Sequence, residues 1–178
     1  MIDFDTAFDR LIGHEGSLTM NPDDPGNWTG GSKGSGELRG TKYGVSAAAY
    51  PSLNISALTL DDAKEVYRRD YWDRARCDDL DGAVAFQVFD AAVNHGIGNA
   101  IRFLQRAVGV ADDGIVGPIT LRAVNSHEAS IVAFKFNAER LKFYTKLSTF
   151  STFGRGWVNR VAGNLGYAAI DSGGPDDH

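Results

Sequence analysis

The chain of 178 residues has one cysteine, Cys77. A lone thiol excludes an internal disulfide, so packing and hydrogen bonds must hold the fold. Long apolar runs are missing too: no stretch reaches 18 residues, which excludes a helical membrane span and sets an expectation of no stable membrane insertion. The opening residues, Met1-Ile2-Asp3-Phe4-Asp5, lack the basic segment and apolar stretch of a secretory signal, so accumulation in the cytoplasm is expected. Positive charge is in short supply. Eighteen Lys and Arg face 23 Asp and Glu, for a net charge of −5. That argues against nucleic acid as a partner and offers no steering toward an anionic polymer. What is present is ordinary globular material, 43% hydrophobic and 23% charged, enough for one domain with a sizeable core.

Apolar spacing supplies most of the element assignments. Phe4, Phe8, Leu11 and Ile12 predict a helix over residues 3–14 that stops by Gly16. Residues 17–44 are rich in glycine, with Asn27-Trp28-Thr29-Gly30-Gly31-Ser32 at their centre, which is loop or hairpin chemistry. Thr59, with Asp61 and Asp62 in the first turn, caps a helix running to about Arg76. Residues 83–94 are apolar almost all round and predict a helix in the middle of a core. Further helices are expected over 99–108, from Pro118 to Val124, over 127–147 and over 154–165. The tail, 171–178, is expected to be disordered. The fold class is mainly α, with a small Gly-rich hairpin lobe near the N-terminus.

The residues that carry chemistry are carboxylates. Glu15 follows the first helix in Leu11-Ile12-Gly13-His14-Glu15-Gly16. Asp24 stands on a turn, Asn21-Pro22-Asp23-Asp24-Pro25-Gly26. Cleavage of a glycosidic bond needs one carboxyl that stays protonated and one that stays ionised. A helix C-terminus disfavours negative charge, and apolar neighbours such as Leu11, Ile12 and Leu18 would add desolvation. Both effects raise a carboxyl pKa, as a proton donor requires. Pro25 restricts Asp24 to extended backbone, which could aim its side chain. Asp23 is the alternative, and either carboxylate could simply accept hydrogen bonds within the turn.

Several ordered motifs together resemble a known family. Glu15-Gly16, then Asn21 to Gly26, then Gly40-Thr41-Lys42-Tyr43-Gly44-Val45-Ser46 are similar to the signature of glycoside hydrolase family 108. These are phage endolysins and related bacterial proteins that cut peptidoglycan. Leu58 to Trp72, Phe89 to Gly96, Ala100 to Pro118 and Gly156 to Val161 extend the likeness over roughly residues 4–165. The resemblance implies a catalytic part (4–92) and an integrated peptidoglycan-binding-like helical part (93–165), within a single domain over 1–170. The nine-residue step from Glu15 to Asp24 also resembles the T-even phage lysozymes, where a Thr completes a Glu/Asp/Thr trio. That likeness implies a lysozyme-like fold, with a small hairpin lobe, a helical lobe and a cleft between them. Two departures matter. Leu18 replaces the usual aromatic beside the acid, and an insertion over about Asn27 to Arg39 separates Asp24 from the matching Thr. That Thr is Thr41 by its sequence context or Thr29 by proximity.

The resemblance implies an endolysin that hydrolyses the β-1,4 bond between N-acetylmuramic acid and N-acetylglucosamine. Glu15 is the general acid, Asp24 activates water or stabilises positive charge on the sugar, and Thr41 positions the water. Tyr43, Trp28, Asn94 and Asp90 are candidate substrate contacts. Each has a plainer alternative: wing packing for Tyr43, loop anchoring for Trp28, and bracing of the core for Asp90, which shares a helix face with Asn94. Tyr71 and Trp72 belong in the core, and Gln105 lies in the cleft or on an exposed helix face. His14-Glu15 resembles the start of a zinc-protease helix motif, but position 18 is Leu; no metal or cofactor is expected. The expected partner is the glycan strand of peptidoglycan, met by a monomer. Release from the host cytoplasm to the periplasm and wall would need a holin. Two other readings stay open. A lytic transglycosylase would make the same cut without water and give anhydro products. A non-catalytic peptidoglycan-binding protein would release nothing.

Overall fold

The computed structural model describes residues 2–13 and 16–174. Glu15 and the tail residues 175–178 therefore lie outside the described residues. The architecture is mainly α, as the apolar spacing predicts, with a small two-stranded sheet in the N-terminal third. Contacts divide the chain into two compact units, Phe8–Arg68 and Met1–Ala7 with Arg69–His178.

Helix α1 spans Phe4–Ile12. The Asp3 carboxylate accepts a hydrogen bond from the Thr6 N–H at 2.8 Å, which satisfies one of the free donors at the helix start. The helix is shorter than the 3–14 expected, because Gly13 takes a left-handed φ of +60° and ends it.

In the unit Phe8–Arg68, Phe8 packs edge-on to Tyr67 over a core that includes Val45, Ala47, Ile55, Leu58, Ala63 and Val66. Strands β1 (Thr41–Lys42) and β2 (Val45–Ser46) pair antiparallel, with Thr41 opposite Ser46 and Lys42 opposite Val45. The two linking residues, Tyr43 and Gly44, have φ of +50° and +74°. Two consecutive positive φ values make the mirror-image turn that matches strand twist in a tight hairpin. Glycine takes this conformation freely, whereas a tyrosine there costs about 1 kcal/mol. Thr41 also bridges to Thr19 and Trp28 to Leu38, so the Gly-rich segment is a hairpin wing. Helix α2, Leu60–Tyr67, starts with a capping box: Asp62 N–H donates to the Thr59 hydroxyl and Thr59 N–H to the Asp62 carboxylate. The Thr59 N–H and hydroxyl, both donating to the Asp62 carboxylate, hold its pKa below its ordinary value. At Arg68 the chain passes into a π-helical turn, Arg68–Trp72.

The second unit is built around α3, Gly82–His95, in which every residue from Gly82 to Ala92 is buried. Helices α4 (Ile97–Val108), α6 (Ala129–Tyr144) and α7 (Phe150–Asp171) pack on it, and α5 (Pro118–Asn125) packs on α4 and α6. Phe4, Trp72 and Phe89 form an edge-to-face trio, with centroids 5.4–5.9 Å apart. Trp72 is in the core, as expected, and its ring N–H donates to Asp78 at 2.7 Å; Tyr71 is half-buried. Two expectations need correction. The last helix runs over Phe150–Asp171, well beyond 154–165. The tail is described through Gly174, where the Gly174 N–H returns to the Ala169 carbonyl at 2.8 Å, so the disorder expected from residue 171 does not begin there.

Candidate active site

Asp24 stands where the sequence puts it, on an exposed turn ahead of a short 3-10 helix, Pro25–Asn27. Its backbone is extended (φ −87°, ψ 114°), the geometry Pro25 imposes on the residue before it. One carboxylate oxygen, Oδ1, accepts the Gly26 N–H at 2.8 Å. Oδ2 has no hydrogen-bond partner among the described residues. Asp23 is engaged elsewhere: its carboxylate pairs with Lys33 across the inserted hairpin. Both of those side chains are mostly exposed, so the pair contributes little stability, but it directs Asp23 toward the hairpin.

The Asp24 turn is tied to Thr41 through one residue. Asn27 is fully buried. Its N–H donates to the Asp24 carbonyl at 3.1 Å, and its side-chain Nδ2 donates to the Asn21 carbonyl at 2.9 Å. The Thr41 hydroxyl donates to Asn27 Oδ1 at 2.7 Å. The Asn27 carbonyl accepts from both Arg39 N–H (2.9 Å) and Gly40 N–H (3.0 Å), which closes the inserted hairpin at its base. Thr29, the other candidate for the hydroxyl, sits inside that hairpin, where its Oγ1 accepts the Glu37 N–H at 2.9 Å. The structure thus joins Thr41, and not Thr29, to the Asp24 turn.

Ser17, Thr19, Thr41, Tyr43 and Gly44 line a depression of about 400 Å³. The half-buried Tyr43 ring lies against the backbone of Gly16, the residue after Glu15. A Cβ on Gly16 would collide with that ring, so a larger residue there would have to displace it. The positive-φ backbone of Tyr43 therefore sets an aromatic plate against Gly16. Leu18 is itself exposed and lines a separate depression with Met20, Leu38 and Arg39.

Two candidate substrate contacts have other work. Trp28 is a hairpin anchor: its ring N–H donates to the Pro22 carbonyl at 2.9 Å and its backbone bridges to Leu38. That fixes the ring to the Asp24 turn. Asp90 is 1% exposed, and its carboxylate lies 2.6 Å from both Arg140 and Arg160 and 2.9 Å from Asn164 Nδ2. It braces α3 against α6 and α7 and has no face left for a sugar. Asn94, one turn on, is exposed; its Nδ2 donates to the Asp90 carbonyl at 2.7 Å. Asp24, Thr41 and Tyr43 belong to one compact unit, and Asp90 and Asn94 to the other. Gln105 is neither cleft-facing nor exposed. It is buried, donating to Asp113, Ile115 and Thr120 and accepting from the Gly114 N–H, so it organises the turn ahead of Pro118.

Asn27 is the residue that sequence reasoning overlooked. It reads as the first position of an insertion, and nothing in Pro25-Gly26-Asn27-Trp28 marks it as buried. The available signal is its spacing: an amide-bearing side chain three residues after Asp24, at the start of a loop that must close.

Residues 8–96 match the family described as Glycosyl hydrolase 108, and residues 99–162 match the family described as Predicted Peptidoglycan domain. The chain belongs to the glycosyl hydrolase 108 family. A solved structure described as that of SagA from Brucella abortus is 32% identical to this family member, with a TM-score of 0.78, covering 95% of each chain. No curated protein matches it. The fold is mainly α and lysozyme-like. The family supports glycoside hydrolase activity on peptidoglycan, with peptidoglycan as the polymer bound.

Proposed function

We propose that the chain is an N-acetylmuramidase of the endolysin kind, hydrolysing the β-1,4 bond between N-acetylmuramic acid and N-acetylglucosamine. The observation that carries this reading is the hydrogen-bonded link from Thr41 through Asn27 to the Asp24 turn. It ties the Thr41 hydroxyl to the backbone of the turn that carries the Asp24 carboxylate, in the unit whose sequence also holds Glu15.

In this reading Glu15 protonates the leaving glycosidic oxygen as its bond to the anomeric carbon breaks. A water held at Thr41 supplies the new oxygen, and Asp24 takes up the proton that water loses. Atoms and charge balance: the leaving sugar gains a hydroxyl, the other fragment gains a reducing end, and the proton moves from Glu15 to Asp24. Attack by water on the face opposite the leaving group gives inversion. Glu15→Gln keeps the shape of the side chain and removes the proton donor. It should lower release of reducing ends from purified peptidoglycan by about two to four powers of ten, the usual scale for general acid catalysis, with an unchanged circular dichroism spectrum. Unimpaired release by that variant would overturn the assignment. Mass spectrometry of the wild-type products should show reducing N-acetylmuramic acid; anhydro ends as the main product would replace hydrolysis with transglycosylation.

A further inference from the structure

We propose that Asn27 is a positioning residue that fixes the direction of the Thr41 hydroxyl and so makes Thr41 an acceptor toward the attacking water. The proposal rests on the hydrolytic reading above and adds a residue to it.

The argument is one of donors and acceptors. The Asn21 carbonyl can only accept, so the amide group facing it at 2.9 Å must be the Nδ2 of Asn27. The oxygen of that amide then faces Thr41. An amide oxygen can only accept as well, so Thr41 commits its single proton there, at 2.7 Å. Full burial of Asn27 holds the arrangement, since flipping the amide would set two acceptors against each other away from water. Thr41 Oγ1 is left with lone pairs only. A water bound to it must donate one proton to Thr41, and its other proton is available to Asp24. Both protons are then held by acceptors, and both lone pairs of the water are free, one of them to point at the anomeric carbon. A freely rotating Thr41 hydroxyl could instead donate into that lone pair and block attack. Asn27 touches neither water nor sugar in this scheme; it acts through Thr41.

The test uses Asn27→Asp, Thr41→Val and Thr41→Ser, with kcat and KM on glycan strands across pH 4–8. A protonated Asp at position 27 mimics the amide: its O–H donates to the Asn21 carbonyl and its carbonyl accepts from Thr41. Once ionised it cannot donate, and it is repelled by Asn21. The ratio of Asn27→Asp to wild-type kcat should be near one at the acid end and fall about a hundredfold as pH rises, the scale of a small misplacement of a reacting group, with KM unchanged. In a Thr41→Val background the same substitution should add no loss. A ratio that is constant with pH, or an equal loss in the Thr41→Val background, overturns the proposal. If Asn27→Asp unfolds as it ionises, by near-ultraviolet dichroism, the Thr41 pair decides: Thr41→Ser retaining kcat while Thr41→Val loses it supports the proposal, and Thr41→Val at wild-type kcat overturns it. A wild-type protein that releases no reducing ends defeats the hydrolytic reading and this proposal with it. An active wild type beside an unimpaired Thr41→Val leaves peptidoglycan hydrolysis standing but removes the water from Thr41, and defeats this proposal.

Discussion

Asp90 holds three partners from two other helices of the helical unit, Arg140, Arg160 and Asn164. Its partner Arg140 is fully buried, with Nη1 2.6 Å from Asp90 Oδ2, a contact close enough for an ion pair though off the ideal hydrogen-bond line. Removing one partner of a buried pair leaves the other charge uncompensated, which costs about 3–5 kcal/mol. Asp90→Asn should therefore lower the unfolding free energy obtained from urea titration by that scale, whereas Arg160→Gln, whose side chain is 41% exposed, should cost far less. Equal costs for the two would show that burial is not what makes Asp90 important. At this scale the sequence was informative about the Asp24 turn, because Pro25 fixes the backbone of the residue before it. It was uninformative about Asn27 and Gln105. Their roles come from burial and from partners up to 15 residues away in sequence, which composition and periodicity do not register.

Among the elements, the hairpin that begins at Asn27 serves as a clamp on the Asp24 turn through three bonds: Trp28 to Pro22, Asn27 to Asn21 and Lys33 to Asp23. Trp28→Phe keeps most of the ring and deletes the first of these. A single hydrogen bond contributes about 0.5–1.5 kcal/mol net, so kcat should fall by about two- to tenfold with little change in KM. A rise in KM at constant kcat would show instead that the indole binds sugar. Helix α3 was legible because a segment that is apolar all round has no stable place except inside a core. Helix α7 extends past both ends of the 154–165 that its sequence predicts. Gly154, Gly156, Gly163 and Gly166 weaken its intrinsic preference, and the burial of Gly154, Val161, Asn164 and Ala168 supplies tertiary support that sequence does not display. Helix α1 was read slightly long because Gly13, mid-pattern, gives no sign of its positive φ.

For the molecule as a whole, acid sensitivity should centre on His95. Burial and the neighbouring Arg140 push its pKa down to about 4, and its Nε2 accepts from Arg140 Nε at 3.2 Å, which requires the neutral ring. An unfolded histidine titrates near 6.5. Above that value the ring is neutral in both states and its contribution is complete. Between about 6.5 and 4 the unfolded chain binds a proton that the folded chain refuses, so stability falls as pH falls, by on the order of 3 kcal/mol. Urea midpoints measured from pH 7 to pH 4 should show this slope, and His95→Gln should flatten it; an unchanged slope in the variant would assign acid sensitivity to other groups. The mainly α class was legible at this scale, but the division into two compact units was not, because its breaks at Ala7–Phe8 and Arg68–Arg69 fall within continuous helical stretches rather than in a linker. That division has a consequence for biosynthesis. Phe4 rests against Trp72 and Phe89, so the first turn of the first helix finds both neighbours only once residue 89 has emerged from the ribosome, several seconds after Phe4 at about 5–20 residues per second. Until then this stretch of the nascent chain carries an uncovered aromatic ring, waiting on residues that are yet to be translated.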